Sequence, residues 1–386
     1  MTEPPSRFDR VRGLREVLTA TGAGIYLATH QAGPLPAETL AAVHESDDME
    51  LRVGRAGPDR AEDLGQRERE ARAVVAAVLS ASPERLVLTH GAAEAARLVA
   101  LEVLEAAAEP RQKVVLLKGL DRVLAAAVRD VADVASAEVE LLERAPRAFS
   151  SEVALVVMPH VDAAGRRADP RAVATAVHKA GGRLVVDTSL SVGALPTTVD
   201  ELGADFVLGD VYRWLLGPDA TAFLWVTPEL DVEVPEWLRQ ASAPFGRGQL
   251  LALARSVGWL LMYVELPWAL DRTGALAEQL YEGLAAIEGV ELLADPAAHG
   301  AVAAFRISDW DAGSASEELG RSIFAIVEGD VEADVIRASV GAWNRESELQ
   351  RFTERVAQLA AHTPETLPRR PSLTIISGPV DPEEHE

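Results

Sequence analysis

Cysteine is absent from the 386 residues, so the chain has no disulfide framework, no thiolate nucleophile and no sulfur ligand for a metal. Lysine is scarce: Lys113, Lys118 and Lys179 are the only ones among 37 basic residues, so any chemistry needing a nucleophilic primary amine has three candidates. Basic charge as a whole is outweighed by 60 acidic residues, and a formal net charge of -23 repels phosphate backbones and anionic bilayers. Nucleic acid and membrane are therefore excluded as expected partners. No apolar run approaches the ~20 residues of a bilayer span. The opening Met1-Thr2-Glu3-Pro4-Pro5-Ser6 lacks the basic and apolar regions of a signal peptide, so a cytoplasmic location is expected. What is present, 48% hydrophobic and 25% charged residues, suits a chain that closes a real core and leaves room for a second, smaller domain. Disorder and coiled coil are excluded as overall descriptions.

Runs rich in Val, Leu and Ile alternate with Ala-rich helical stretches, the pattern of strands buried on both faces by crossover helices. Strands are expected at Arg85 to Leu88, Val114 to Leu117, Ala154 to Met158, Leu184 to Val186, Phe206 to Leu208 and Ala222 to Val226. Helices are expected at Glu68 to Leu79, Ala92 to Ala107, Leu120 to Asp130 and Pro170 to Ala180, the last stopped by Gly181-Gly182. This is an α/β arrangement with a mostly parallel sheet and ligand sites at the strand C-terminal ends. From about Pro244 long helices, Leu250 to Tyr263 and Arg272 to Ile287, precede short strands near Val302 to Ile307 and Ile336 to Ser339, as in a smaller α+β domain. The expected division is a large α/β domain over 22–243, a small domain from 1–21 and 244–363, and an exposed proline-rich tail over 364–386.

Two strand ends carry the chemistry. Val185-Val186-Asp187 sets a carboxylate at the mouth of a buried strand, where Asp either orders the next turn or faces a ligand. Further on, Gly209-Asp210-Val211-Tyr212-Arg213-Trp214-Leu215-Leu216-Gly217-Pro218 puts an acidic, aromatic and cationic cluster at a second strand end. The stretch from Leu184 to Val226 resembles the heart of the class V aminotransferase family, the fold-type I pyridoxal phosphate branch that holds cysteine desulfurases, isopenicillin N epimerase-like proteins and kynureninases. Gly24-Ile25-Tyr26-Leu27-Ala28-Thr29 with Gly33-Pro34-Leu35-Pro36 is similar to that family's opening strand and turn. Thr89-His90-Gly91-Ala92-Ala93-Glu94-Ala95 resembles its phosphate-cradle turn, and Ile336-Arg337-Ala338-Ser339-Val340-Gly341-Ala342-Trp343-Asn344 its substrate-arginine motif.

The resemblance implies a fold-type I aminotransferase-like α/β fold and a cofactor pocket in which Ala92, Ala93 and Asp187 hold pyridoxal phosphate. It also implies that Arg337 grips a small carboxylate ligand and that the site sits at a subunit interface. Such chemistry needs a lysine to form an imine with the cofactor aldehyde. At the position the resemblance gives to that lysine stands Arg213, which has no free lone pair to attack an aldehyde, so covalent binding there is excluded. Leu190 replaces a glutamine, Asp210 and Tyr212 replace phosphate-donating Ser and His, and Ala93 replaces the cradle threonine. Phe245-Gly246-Arg247-Gly248-Gln249 replaces a stretch that supplies a threonine to the neighbouring subunit. No imidazole stands among Leu120, Asp121 and Arg122, and Ala220 and Ala222 replace two glycines. Each lost hydrogen bond to a dianion is worth ~1.5 to 3 kcal/mol, so several together remove most of a micromolar affinity.

Lys118, directly after Val114-Val115-Leu116-Leu117, is the one lysine at a strand end facing the cleft, where it either rescues the imine or is a solvated loop residue. Lys113 belongs at the opposite sheet edge, and Lys179 near a helix C-terminus. His160 follows a strand end, as an acid or base in the same cleft or a polar turn residue. His30 and His90 sit at family-like turns without metal-ligand spacing, and Glu62-Asp63 with Glu68 and Glu70 is a solvated helical face. Three functional readings follow. The chain is a class V aminotransferase-fold protein without the imine lysine and without cofactor, acting as a binding or partner subunit in a homodimer or with a lysine-bearing homologue. Or it is an enzyme reusing the pocket, with Tyr212 as proton donor, Arg213 as anion clamp and Asp210 as base. Or it is a pyridoxal phosphate transaminase or lyase that uses Lys118.

Overall fold

The computed structural model describes residues 7–107, 112–228, 230 and 244–368. Residues 1–6 and 231–243, parts of the expected small and large domains, and 369–386 of the expected tail lie outside the described residues.

The chain opens with helix α1 (Arg7–Val17), the short strand β1 (Ile25–Tyr26), and helices α2 (Ala37–Val53) and α3 (Pro58–Val78). A larger sheet follows, from β2 (Leu86–Thr89), β3 (Lys113–Leu117), β4 (Glu138–Leu142), β5 (Val153–Pro159), β6 (Arg183–Asp187), β7 (Phe206–Asp210) and β8 (Ala222–Val226). Between its strands run α4 (Ala92–Ala106), α5 (Arg122–Val134), α6 (Pro170–Ala180) and the single turn α7 (Val199–Leu202). Strand order is β2-β8-β7-β6-β5-β3-β4, all parallel except β8. All seven positions of β5 and all five of β8 are buried, as strands covered on both faces require. Because successive side chains alternate, Val115, Val156, Val186 and Val207 enter one core while Val114, Leu155, Val185 and Leu208 enter the other. Asp121 accepts the N–H groups of Val123 and Leu124 to start α5, and Gly181 at φ 80° ends α6 where a left-handed residue is needed.

After α8 (Arg247–Trp259) and α9 (Leu266–Ala285) a second sheet forms from β9 (Val290–Leu292) and β10 (Val302–Ile307). Helix α10 (Ala312–Ile323), β11 (Ala325–Ile326), β12 (Glu328–Asp330), β13 (Val335–Ser339) and α11 (Glu346–Ala360) complete it. Its order is β12-β13-β10-β9, antiparallel throughout, while β11 pairs in parallel with β1. Among the described residues no single helix is long and apolar enough to cross a membrane.

The helix read from Glu68 begins at Pro58, and β4 was not among the expected strands. The helix read as continuous from Leu250 to Tyr263 ends at Trp259 and passes through a π-helical turn, Leu260–Val264. Glu265 then takes φ 64° and α9 begins with Pro267 in its first turn, because proline lacks the N–H that a continuing helix would use. Of the expected tail, Pro364, Glu365, Thr366 and Pro368 are exposed, while Leu367 donates its N–H to the Thr363 carbonyl and buries its side chain in the core.

The C-terminal ends of β2, β3, β5, β6 and β7 lie along one edge of the larger sheet. Gly91-Ala92, Lys118, His160, Asp187 and Asp210 therefore stand at strand ends on one side, where Lys118 and Asp187 share a cavity with Glu328, Asp330 and Arg337.

Candidate functional site

Asp187 ends β6 with a side chain only 6% exposed. Its Oδ1 accepts the Ser189 N–H at 2.9 Å and the Ser189 hydroxyl at 2.6 Å, while Oδ2 accepts no hydrogen bond among the described residues. Burial pushes the carboxyl up to about 6, against the two Ser189 bonds that favour its charged form. Ser189 also accepts the Asp210 N–H at 3.1 Å, tying the ends of β6 and β7 together.

Asp210 is the centre of a second cluster. Its Oδ1 accepts the N–H of Ala92 at 3.1 Å, at the opening of α4 where helix N–H groups and the helix dipole favour negative charge. Its Oδ2 accepts from Arg213 Nη2 at 3.0 Å and from the Tyr212 hydroxyl at 3.1 Å. Burial, and then Asp210, raise the Tyr212 hydroxyl above its ordinary value, so it stays protonated and donates. Arg213 Nη1 donates to the His30 carbonyl, while Nε is buried without a partner among the described residues. The turn is seated on Gly33, whose N–H donates to the Tyr212 carbonyl at 2.8 Å. A Cβ at Gly33 would stand 2.0 Å from the Arg213 carbonyl oxygen, so only glycine permits this approach. The anion position at the head of α4 is thus filled by the chain's own carboxylate.

Arg337, on β13, lies directly across from Glu328 on β12. Its Nη1 donates to Glu328 at 3.2 Å and Asp330 at 2.9 Å, and its Nε to the Ala163 carbonyl at 2.8 Å. Glu328 and Asp330 alternate along one strand and so share a face. His30 Nε2 stands 2.9 Å from Glu328, and Nδ1 stands 2.8 Å from the Ser339 hydroxyl oxygen. The His30 contact, and then Arg337, hold Glu328 at about 2 despite its partial burial. Burial lowers His30, so a neutral ring with its proton on Nε2 satisfies Glu328.

Lys118, Asp187, Arg213 and Arg337 line one cavity of about 640 Å³. Leu190 lines it too, as do Leu120, Asp121 and Arg122. Lys118 sits at the rim with its side chain 54% exposed and its ammonium 2.7 Å from Glu143. His160 is not in this cavity. It lines a separate one of about 350 Å³ with Arg167 and Thr197, because its Nδ1 turns to the Ser191 hydroxyl oxygen at 2.9 Å. Burial, aided by Arg167, lowers His160 to about 4, so it is neutral at ordinary pH. Lys113 lies at the opposite end of β3 between Glu138 and Glu140. His90 stacks on Phe245 at 4.0 Å. Among the described residues no group of three or more His, Asp or Glu side chains could hold a metal ion. Sequence reasoning missed Ser189, Glu328 and Asp330; the acid-x-acid spacing of the last two beside a cationic strand was the available signal.

The fold is shared with solved enzymes. An apo cysteine desulfurase from Thermococcus onnurineus NA1 superposes with a TM-score of 0.77 at 19% identity, covering 94% of this chain and 100% of that one. Among curated proteins, a kynureninase from Pseudomonas fluorescens is 34% identical over 113 residues, 29% of this chain and 26% of that protein. A probable cysteine desulfurase from Methanothermobacter thermautotrophicus is 22% identical over 242 residues, 53% of this chain and 60% of that protein. The chain thus matches between a quarter and three fifths of the lengths of these curated relatives. The family model of aminotransferase class-V matches residues 25–243, more than half of the chain, and spans the strand ends that carry Asp187 and Asp210. This protein belongs to the aminotransferase class-V family.

Proposed function

We propose that this chain is a class V aminotransferase-fold protein that holds no lysine-linked pyridoxal phosphate and works as a binding or partner subunit. The observation that carries this reading is the Asp210 carboxylate, which takes the Ala92 N–H and the Arg213 guanidinium together. In the family resemblance these are the phosphate cradle and the imine position. A phosphate placed at the head of α4 would meet a buried carboxylate, a repulsion of about 4 kcal/mol per pair of unit charges at 4 Å near a protein surface. Arg213 supplies charge without a nucleophilic nitrogen. Asp187 alone still suits the cofactor, as a partner for its ring nitrogen. The residues present therefore do not fit pyridoxal phosphate.

Two other readings have less support. Asp210, Tyr212 and Arg213 are committed to one another and to backbone groups, as in a structural clasp rather than a proton-transfer set. Lys118 is paired with Glu143 at the rim. A partner, either a second copy or a lysine-bearing homologue, is supported by the exposed Met262 and Tyr263 in the turn after α8.

The test is incubation of the purified protein with pyridoxal phosphate, borohydride reduction and peptide mapping. No reduced adduct is expected at any residue beyond the level of a solvated surface lysine. A stoichiometric adduct at Lys118 would overturn the reading in favour of the lysine-dependent enzyme.

A further inference from the structure

The cavity at the edge of the larger sheet has cations on its walls, but each is already neutralised. Lys118 pairs with Glu143, Arg122 with Glu332 and Arg213 with Asp210, while Arg337 is held by both Glu328 and Asp330. One carboxylate of the Glu328–Asp330 pair is therefore in surplus. A second, independent feature lies on another wall: Asp187 is 94% buried by its 6% exposure, lines the cavity, and leaves Oδ2 without a hydrogen bond. A carboxylate oxygen that faces a cavity without a protein partner can accept from a bound group there. The remaining wall includes Leu120, Val161, Leu190 and Val302, which suit a hydrocarbon body.

We propose that this cavity binds a protonated organic amine bearing neither phosphate nor carboxylate, its ammonium donating to Asp187 Oδ2 in a field made negative by Glu328 and Asp330. The inference rests on the reading that no lysine-linked cofactor fills the cavity, and it reverses the anion preference that Arg337 implies when read alone. The filled clasp at Asp210 and the double pairing of Arg337 remove both anion receptors at once. What is left to recognise is positive charge.

The test is calorimetric titration at low ionic strength with putrescine and butylamine, and with glutarate and inorganic phosphate as anionic counterparts. Saturable amine binding is expected, and Asp187→Asn is expected to weaken it by roughly tenfold, one hydrogen bond to a charged group. The double variant Glu328→Gln with Asp330→Asn is expected to lose amine affinity and gain glutarate affinity, since Arg337 is then unpaired. Should that variant not fold, Asp187→Asn decides. Three results would overturn the proposal: no saturable amine binding below concentrations on the order of 10 mM, glutarate or phosphate bound more tightly than either amine by the wild type, or amine affinity unchanged in Asp187→Asn. Failure of the cofactor reading is separately visible, as a reduced pyridoxal adduct.

Discussion

Asp187 and His160 stand on neighbouring strand ends, the His160 N–H donating to the Asp187 carbonyl at 2.8 Å, yet burial drives their titrations in opposite senses. Asp187 is raised from 3.8 to about 6, so the folded state takes its proton first and gains stability as pH falls through that interval. His160 is lowered from 6.5 to about 4, so the unfolded state takes its proton first and the fold loses stability over nearly the same interval. Each shift corresponds to about 3 kcal/mol, and the two offset. Removing either exposes the other. Asp187→Asn is expected to be more stable at pH 7 and to weaken steeply on acidification, whereas His160→Gln is expected to gain stability between pH 6 and 4.5. Urea midpoints across that range check the pair, and an unchanged wild-type slope in both variants would refute the compensation. At this scale Asp187, Arg213 and Arg337 were legible because each sits in a contiguous motif. Glu328 and Asp330 were not, because their meaning arises only when β12 folds back on β13 and sets Glu328 opposite Arg337. Read along the chain, Arg337 is a free cation; folded, it is neutralised.

Among the elements, the strands of the larger sheet were the most legible. Strand Ala222–Val226 and helix Pro170–Ala180 coincide with expectation, the other five expected strands of this sheet differ only at their ends, and the half-exposed edge strand β4 was missed. Continuous apolar runs bounded by turn residues leave little choice. The break after Trp259 was hidden, because a run that is apolar on most sides does not reveal where the backbone changes from α to π geometry. The turn from β7 to β8 offers a finer test. The resemblance puts glycines at the positions of both Ala220 and Ala222, but the two differ physically. Ala220 holds φ 54°, in the left-handed region, whereas Ala222 is fully buried in β8. Ala220→Gly is therefore expected to stabilise by about 0.5 to 1 kcal/mol by relieving that strain, and Ala222→Gly to destabilise by about 1 kcal/mol through lost packing and added chain entropy. Denaturant unfolding of the two single variants measures both, and equal signs would contradict the difference.

For the whole molecule, the shared fold and the family membership say where a site belongs but not what fills it. On the reading proposed above, the architecture is kept while Asp210 takes the head of α4 and Glu328 with Asp330 takes Arg337. The charge balance of -23 fits that outcome without compelling it. Arg213 was readable in a single motif, whereas the clasp that holds it, joining α4, β7 and the His30 loop, needed three separate segments brought together. The most direct measurement is visible absorbance on adding pyridoxal phosphate to Arg213→Lys and to Arg213→Lys combined with Asp210→Ser. The expected result is no aldimine band in the single variant and a borohydride-sensitive band at the new lysine in the double variant, because Asp210 must leave the head of α4 before a phosphate can enter. A full band in the single variant would contradict the claim that this carboxylate closes the site.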